Sequence, residues 1–73
     1  MIIHKNLFNF LEKIYIKNMD FTNISECELK TYFKNNEYYL LKNFCIEYKL
    51  INIEYHKINL TKNGVSLFNI LKK

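Results

Sequence analysis

Residues 41–64 read LKNFCIEYKLINIEYHKINLTKNG, and the period of the apolar side chains changes within them. Leu41, Phe44, Cys45 and Tyr48 recur three and four apart, the spacing of one helix face. From Leu50 onward the spacing drops to two. Ile51, Ile53 and Tyr55 alternate with Asn52 and Glu54, and Ile58 and Leu60 flank Asn59, as on strands half sunk in a core. The pair His56-Lys57 between the two runs is the predicted turn, so the segment reads as a helix end followed by a two-stranded β-hairpin. Thr61 then offers a hydroxyl to cap a final helix over 62–73, and Gly64 lets that helix approach its neighbours closely. Leu67, Ile70 and Leu71 are expected to face inward there, Val65 and Phe68 to lie partly off that face, and the terminal lysines suit the negative end of the dipole.

Upstream, a helix is expected over 37–49, with Leu40, Leu41, Phe44, Cys45 and Tyr48 as its inner arc and Tyr38 at the edge. Tyr39, Lys42, Asn43 and Ile46 form the opposite arc, with Lys49 at its margin. Before it, Ser25 and Glu28 have the spacing of a capping box, and Ile24 with Leu29 that of a hydrophobic staple. The helix begun at Ser25 carries Leu29, Tyr32 and Phe33 inward and ends by Lys34, where Asn35-Asn36 supplies a left-handed turn residue and the next cap. A first helix over 3–18 shows Ile3, Leu7, Phe10, Leu11, Ile14 and Tyr15 on one stripe, with Lys5, Glu12 and Lys13 in water. Ile2 and Ile16 fall off that stripe. They mark either a second contact surface or scattered exposed apolar residues.

Composition bounds the rest. Seventy-three residues close one core, so 1–73 is read as a single domain that buries only about 60 % of its unfolded surface and would gain from a partner copy. With 49 % hydrophobic and 16 % aromatic residues it is too rich in core-forming side chains to be disordered. There is no Pro and one Gly, so Asn is expected to make the left-handed turns. All eleven basic residues are Lys, and the net charge of +4 favours polyanionic partners. Charges interrupt the apolar start of the chain and no small-residue cleavage site follows, which argues against a signal peptide or membrane span and for a cytoplasmic protein.

Helix, helix-turn-helix, hairpin, helix is the order of a winged helix. The run 41–48, then Lys49-Leu50-Ile51, a short hairpin, and Ile58-Asn59-Leu60-Thr61-Lys62-Asn63-Gly64 resembles the signature of small microbial and archaeal winged helix-turn-helix regulators of the PadR and MarR kinds. The resemblance covers 25–71. It implies an α+β, mainly helical fold of three helices, a two-stranded wing and a C-terminal helix. It also implies double-stranded DNA binding, with 37–49 as recognition helix in the major groove, in a transcriptional regulator or a plasmid or viral accessory factor. The chain departs from the pattern in lacking a Gly in the helix-turn-helix turn, in its short wing, and in the absence of Arg, the usual bidentate reader of guanine.

On this reading Lys42 contacts phosphate, Asn43 bonds an adenine edge, and Ile46 meets thymine methyls beside Tyr39, a set suited to A·T-rich duplexes. Lys30, Lys34 and Asn35 grip the backbone next to the groove, and Lys49, His56 and Lys57 add contacts from the helix end and the wing. Ordinary solvated lysines are the competing account of these positions. The basic residues are dispersed, so tight binding calls for two protomers, and Ile2, Ile16, Val65 and Phe68 are the expected homodimer surface. The alternative is a protein-interaction module without DNA affinity, using Tyr38, Tyr39, Tyr55 and Phe68. No catalytic residue, metal site or cofactor is expected. His4 and His56 have no acidic cluster beside them, no phosphate loop or nucleophile motif is present, and Cys27 and Cys45 lack metal-binding or redox spacing.

Overall fold

The computed structural model describes residues 3–72, and side chains from Lys5 onward. Ile2 and the side chains of Ile3 and His4 therefore lie outside the described residues. The order is α1 (Ile3–Met19), β1 (Ile24–Ser25), α2 (Glu26–Lys30), α3 (Asn35–Glu47), β2 (Ile51–Glu54), β3 (Lys57–Leu60) and α4 (Lys62–Lys72), a mainly helical α+β domain. None of the described helices is long and apolar enough to cross a membrane.

α1 is the central support. Its Leu7, Phe10, Leu11 and Ile14 are buried, as the stripe predicts, and Ile16 stays exposed. α4 lies on α1 through Phe68, whose ring stacks on Tyr15 at 4.4 Å and on Phe8 at 5.3 Å. This corrects the expected face of α4. Phe68 is core, 3 % exposed, while Ile70 points to water at 66 %. Gly64 sets that rotation, because a Cβ there would lie 2.1 Å from the carbonyl oxygen of Leu50, and only a bare Cα lets α4 come so close.

The sheet has three strands, not the expected two. β1 pairs antiparallel with β3, which pairs with β2, giving the order β1-β3-β2. In register, Ile58 stands between Ile24 and Ile53, and Ile51 faces Leu60. The row Ile24, Ile58, Ile53 drives the pairing by cross-strand contact. β1 escapes sequence reading because it has two residues and sits inside the capping signal. The hairpin turn is Tyr55-His56, one residue earlier than expected, with both residues left-handed at φ 52° and 63°, as a two-residue type I′ turn requires.

Asn makes none of the left-handed turns. Besides Tyr55 and His56, the positive φ values fall on Phe21 (62°) and Lys49 (58°). Both follow a helix. The amides of Thr22 and Phe21 donate to the carbonyls of Lys17 and Asn18, and those of Leu50 and Lys49 to Cys45 and Ile46. These are Schellman closures with a bulky residue where glycine is favoured. Asn35 and Asn36 instead begin α3, behind Lys34 at the cap. Thr31, Tyr32 and Phe33 make the preceding turn, their amides donating to Glu28, Leu29 and Lys30. Tyr32 is 51 % exposed, so only Leu29 and Phe33 of the expected inner set turn toward the core.

Candidate nucleic-acid interface

α3 begins two residues earlier than expected and ends at Glu47, so Lys49 lies beyond it. Its inner face is Tyr38, Leu41 and Cys45, with Phe44 half-buried, while Leu40 and Tyr48 of the expected inner arc are exposed at 56 % and 57 %. The helix is turned toward Tyr38. That ring is wholly buried against Phe10, and its hydroxyl is satisfied by donating 3.0 Å to the Glu26 carboxylate. The opposite side faces solvent. Tyr39 and Ile46 are 45 % and 47 % exposed, and Asn43 is exposed between them.

Lys42, the fourth residue of that arc, is engaged. Its ammonium donates to the carboxylate of Glu26 at the start of α2, and both side chains are about four-fifths covered. Glu26 gathers three elements. It accepts from Lys42 and Tyr38 of α3, its other oxygen lies 3.8 Å from Nδ1 of His56 in the hairpin turn, and its backbone amide donates 2.8 Å to the His56 carbonyl. The Lys42 hydrogen bond, with help from Tyr38, holds the Glu26 carboxyl below its ordinary range against the upward push of desolvation. Burial, then the Glu26 bond, pushes the Tyr38 hydroxyl up.

Lys30 donates 2.9 Å to the Tyr39 hydroxyl and lies 5.0 Å from its ring centroid, with the Lys42 ammonium at 5.8 Å. The Tyr39 bond raises the pKa of Lys30. Tyr39 is thereby pinned between two cations. A shallow cavity between α2, α3 and the hairpin turn is lined by Glu26, Cys27, Lys30, Tyr39, Lys42 and His56.

The structure thus brings Lys30, Tyr39, Lys42 and His56 together. Lys34 and Asn35 sit exposed at the start of α3, Lys49 past its end, and Lys57 opens β3 opposite Glu54. Of the expected dimer residues, Ile16 is exposed, Val65 is half-buried and Phe68 is interior. The Phe8 and Tyr15 rings already cover Phe68, so it has no face left for a partner copy. Sequence reading missed Glu26. Its only local signal is an acid in a first helical turn, and Lys42 is sixteen residues away. Cys27 is an exposed free thiol and Cys45 a buried one, and no group of three potential metal ligands occurs among the described residues. No protein-family model, curated protein or solved structure matches the chain.

Proposed function

We propose that the chain is a winged-helix module that binds double-stranded DNA, with α3 in the major groove and the β2–β3 hairpin beside it. One observation carries this reading: Tyr39, Asn43 and Ile46 stand outward along one side of α3 instead of in the core. Asn43 has donor and acceptor geometry for an adenine edge, and Ile46 has apolar surface for a thymine methyl. Lys30, Lys34, Lys49 and Lys57 supply backbone contacts around that side. Glu37, Glu47 and Glu54 are interspersed, so contacts per protomer are few, and pairing of two copies would be needed for tight binding. Gene regulation, or an accessory role on a plasmid or viral genome, is the setting this activity fits.

Fluorescence anisotropy with labelled A·T-rich and G·C-rich duplexes between ~50 and ~200 mM salt tests it. Binding that weakens steeply with salt, prefers A·T and loses that preference by about 1–3 kcal/mol in Asn43→Ala supports the reading. Absence of duplex affinity at the lowest salt removes it. A second reading, a protein-interaction module, is favoured by Leu40 and Tyr48, exposed at 56 % and 57 % on the other flank of α3 with Phe44 against Tyr48 at 4.7 Å. Sedimentation at high protein concentration separates a homodimer from a monomer.

A further inference from the structure

We propose that Glu26 is an internal stand-in for a DNA phosphate: its carboxylate occupies the Lys42 ammonium and sits beside the His56 ring until a duplex backbone displaces it. The inference rests on the DNA-binding reading above and adds its regulation.

Three observations carry it. The cluster is an anion seat already filled from within, since Lys42 donates to Glu26, the Tyr38 hydroxyl donates to the same oxygen, and His56 Nδ1 faces the other. Lys42 belongs to the solvent-facing arc of α3, between Tyr39 and Ile46, so its ammonium is withheld from the surface on which a duplex would lie. The seat is accessible, because a cavity between α2, α3 and the turn opens on Glu26, Lys42 and His56, and the His56 side chain is 90 % exposed.

Release requires no refolding. The Glu26 amide stays bonded to the His56 carbonyl, which fixes the backbone of α2 to the hairpin turn, and the incoming phosphate oxygen accepts from both the Lys42 ammonium and the Tyr38 hydroxyl in place of the carboxylate. The exchange is also close to balanced. An ion pair about four-fifths covered surrenders one oxyanion and gains another, so the net gain per site is small and depends on how many phosphates are presented together. Glu26 therefore sets a threshold: isolated anions fail to displace it, and a duplex that docks Lys34, Lys49 and Lys57 at the same time succeeds.

The test compares duplex affinity and its salt dependence in the parent chain, Glu26→Gln, Lys42→Met and the double variant. With the competing carboxylate gone the duplex no longer has to displace it, so Glu26→Gln should bind about tenfold more tightly at ~50 mM salt. Because Lys42 meets a phosphate in both complexes, Glu26→Gln should keep the parent's slope, whereas Lys42→Met and the double variant lack one contact and should lose about three- to fourfold less affinity between ~50 and ~200 mM. With Lys42 gone, the gain from Glu26→Gln should shrink to that of a charge control. Glu47→Gln, which removes an exposed carboxylate from α3, is the control for charge alone. If Glu26→Gln steepens the slope, weakens binding, or gains no more than Glu47→Gln, the stand-in is overturned while DNA binding stands. If the parent and every variant lack duplex affinity, both fall. Should Glu26→Gln not fold, Glu26→Asp, which keeps the charge and draws it back by a methylene, should still tighten binding at the parent's slope. Binding no tighter than the parent's in that variant overturns the proposal equally.

Discussion

The two ends of β3 are built from different materials. At its Leu60 end every polar group is spoken for at close quarters: the Asn18 side chain accepts from the Leu60 amide at 3.1 Å while donating to Asn59 and to the Thr22 carbonyl. Thr61 donates its hydroxyl to the Lys49 carbonyl, accepts from the Gly64 amide, and gives its own amide to Leu50. At its Lys57 end stand Tyr55, 91 % exposed, and His56, both left-handed, with His56 held to α2 through Glu26. One end is a joint of backbone and short polar side chains with a fixed geometry. The other is a set of charges whose partners can be exchanged. A binding surface gains from that division, because the scaffold stays unchanged when the charges rearrange.

The two cysteines report on the two ends. Cys27 lines the cavity beside Glu26, and Cys45 is buried with its carbonyl accepting from Leu50. A disulfide reagent added to the native protein should modify one thiol promptly and the second at least about a thousandfold more slowly, through opening of the fold. Equal rates would show that the Leu60 end is not rigid. Burial pushes the Cys45 thiol from 9.0 up to about 12, so the neutral form is favoured by folding. The sign follows: that contribution is whole below pH 9.0 and is lost as pH rises toward about 12, which alkaline melting curves would reveal.

Gly64→Ala is expected to cost about 3 kcal/mol and to lower Tm by roughly 10–20 °C, because the new methyl meets the Leu50 carbonyl and not a flexible side-chain tip. A thermal melt within a few degrees of the parent would mean that α4 can back away and that this joint is loose. Asn18→Ala should cost about 1–2 kcal/mol by leaving the Leu60 amide without its acceptor. A near-neutral result in urea unfolding would move the anchor from Asn18 to Thr61.

The smallest effect is expected at the other end, and with the opposite sign. Tyr55→Asn combined with His56→Gly places preferred residues in the left-handed turn and should stabilise the chain by about 1 kcal/mol, while weakening duplex binding. A variant that is more stable and binds as well as the parent would show that the tip takes no part in recognition.

The same contrast explains what was legible in the sequence. Part of the Leu60 end follows from spacing. Ile51 and Leu60 keep a period of two and Thr61 caps its own helix, each where its position foretells, whereas the bond from the Leu60 amide to Asn18, 42 residues away, has no local signal. So do the α1 stripe and the Ser25 cap, whose hydroxyl accepts from the Glu28 amide. Glu28 itself turns to Lys17 instead of back to the cap, at 3.5 Å. The illegible parts depend on distant partners. Tyr38 can be buried because Glu26 meets its hydroxyl, and that contact turns α3 so that Leu40 faces water. β1 exists because Ile24 finds Ile58. The left-handed residues escaped for another reason: Phe21, Lys49 and Tyr55 have no intrinsic preference for that conformation and are forced into it by the packing of what precedes and follows them.

The peptide unit of Leu50 joins more of the molecule than any periodicity suggests. Its amide is bonded to the last turns of α3, its carbonyl is bonded to Thr61, and the first turn of α4 lies against that carbonyl. Deuterium can reach the amides of Leu50 and Thr61 only when α3, the hairpin and α4 part together. Their exchange rates should therefore coincide and give the free energy of complete unfolding, whereas the amide of Glu26 should exchange by a smaller, separate fluctuation of the hairpin tip.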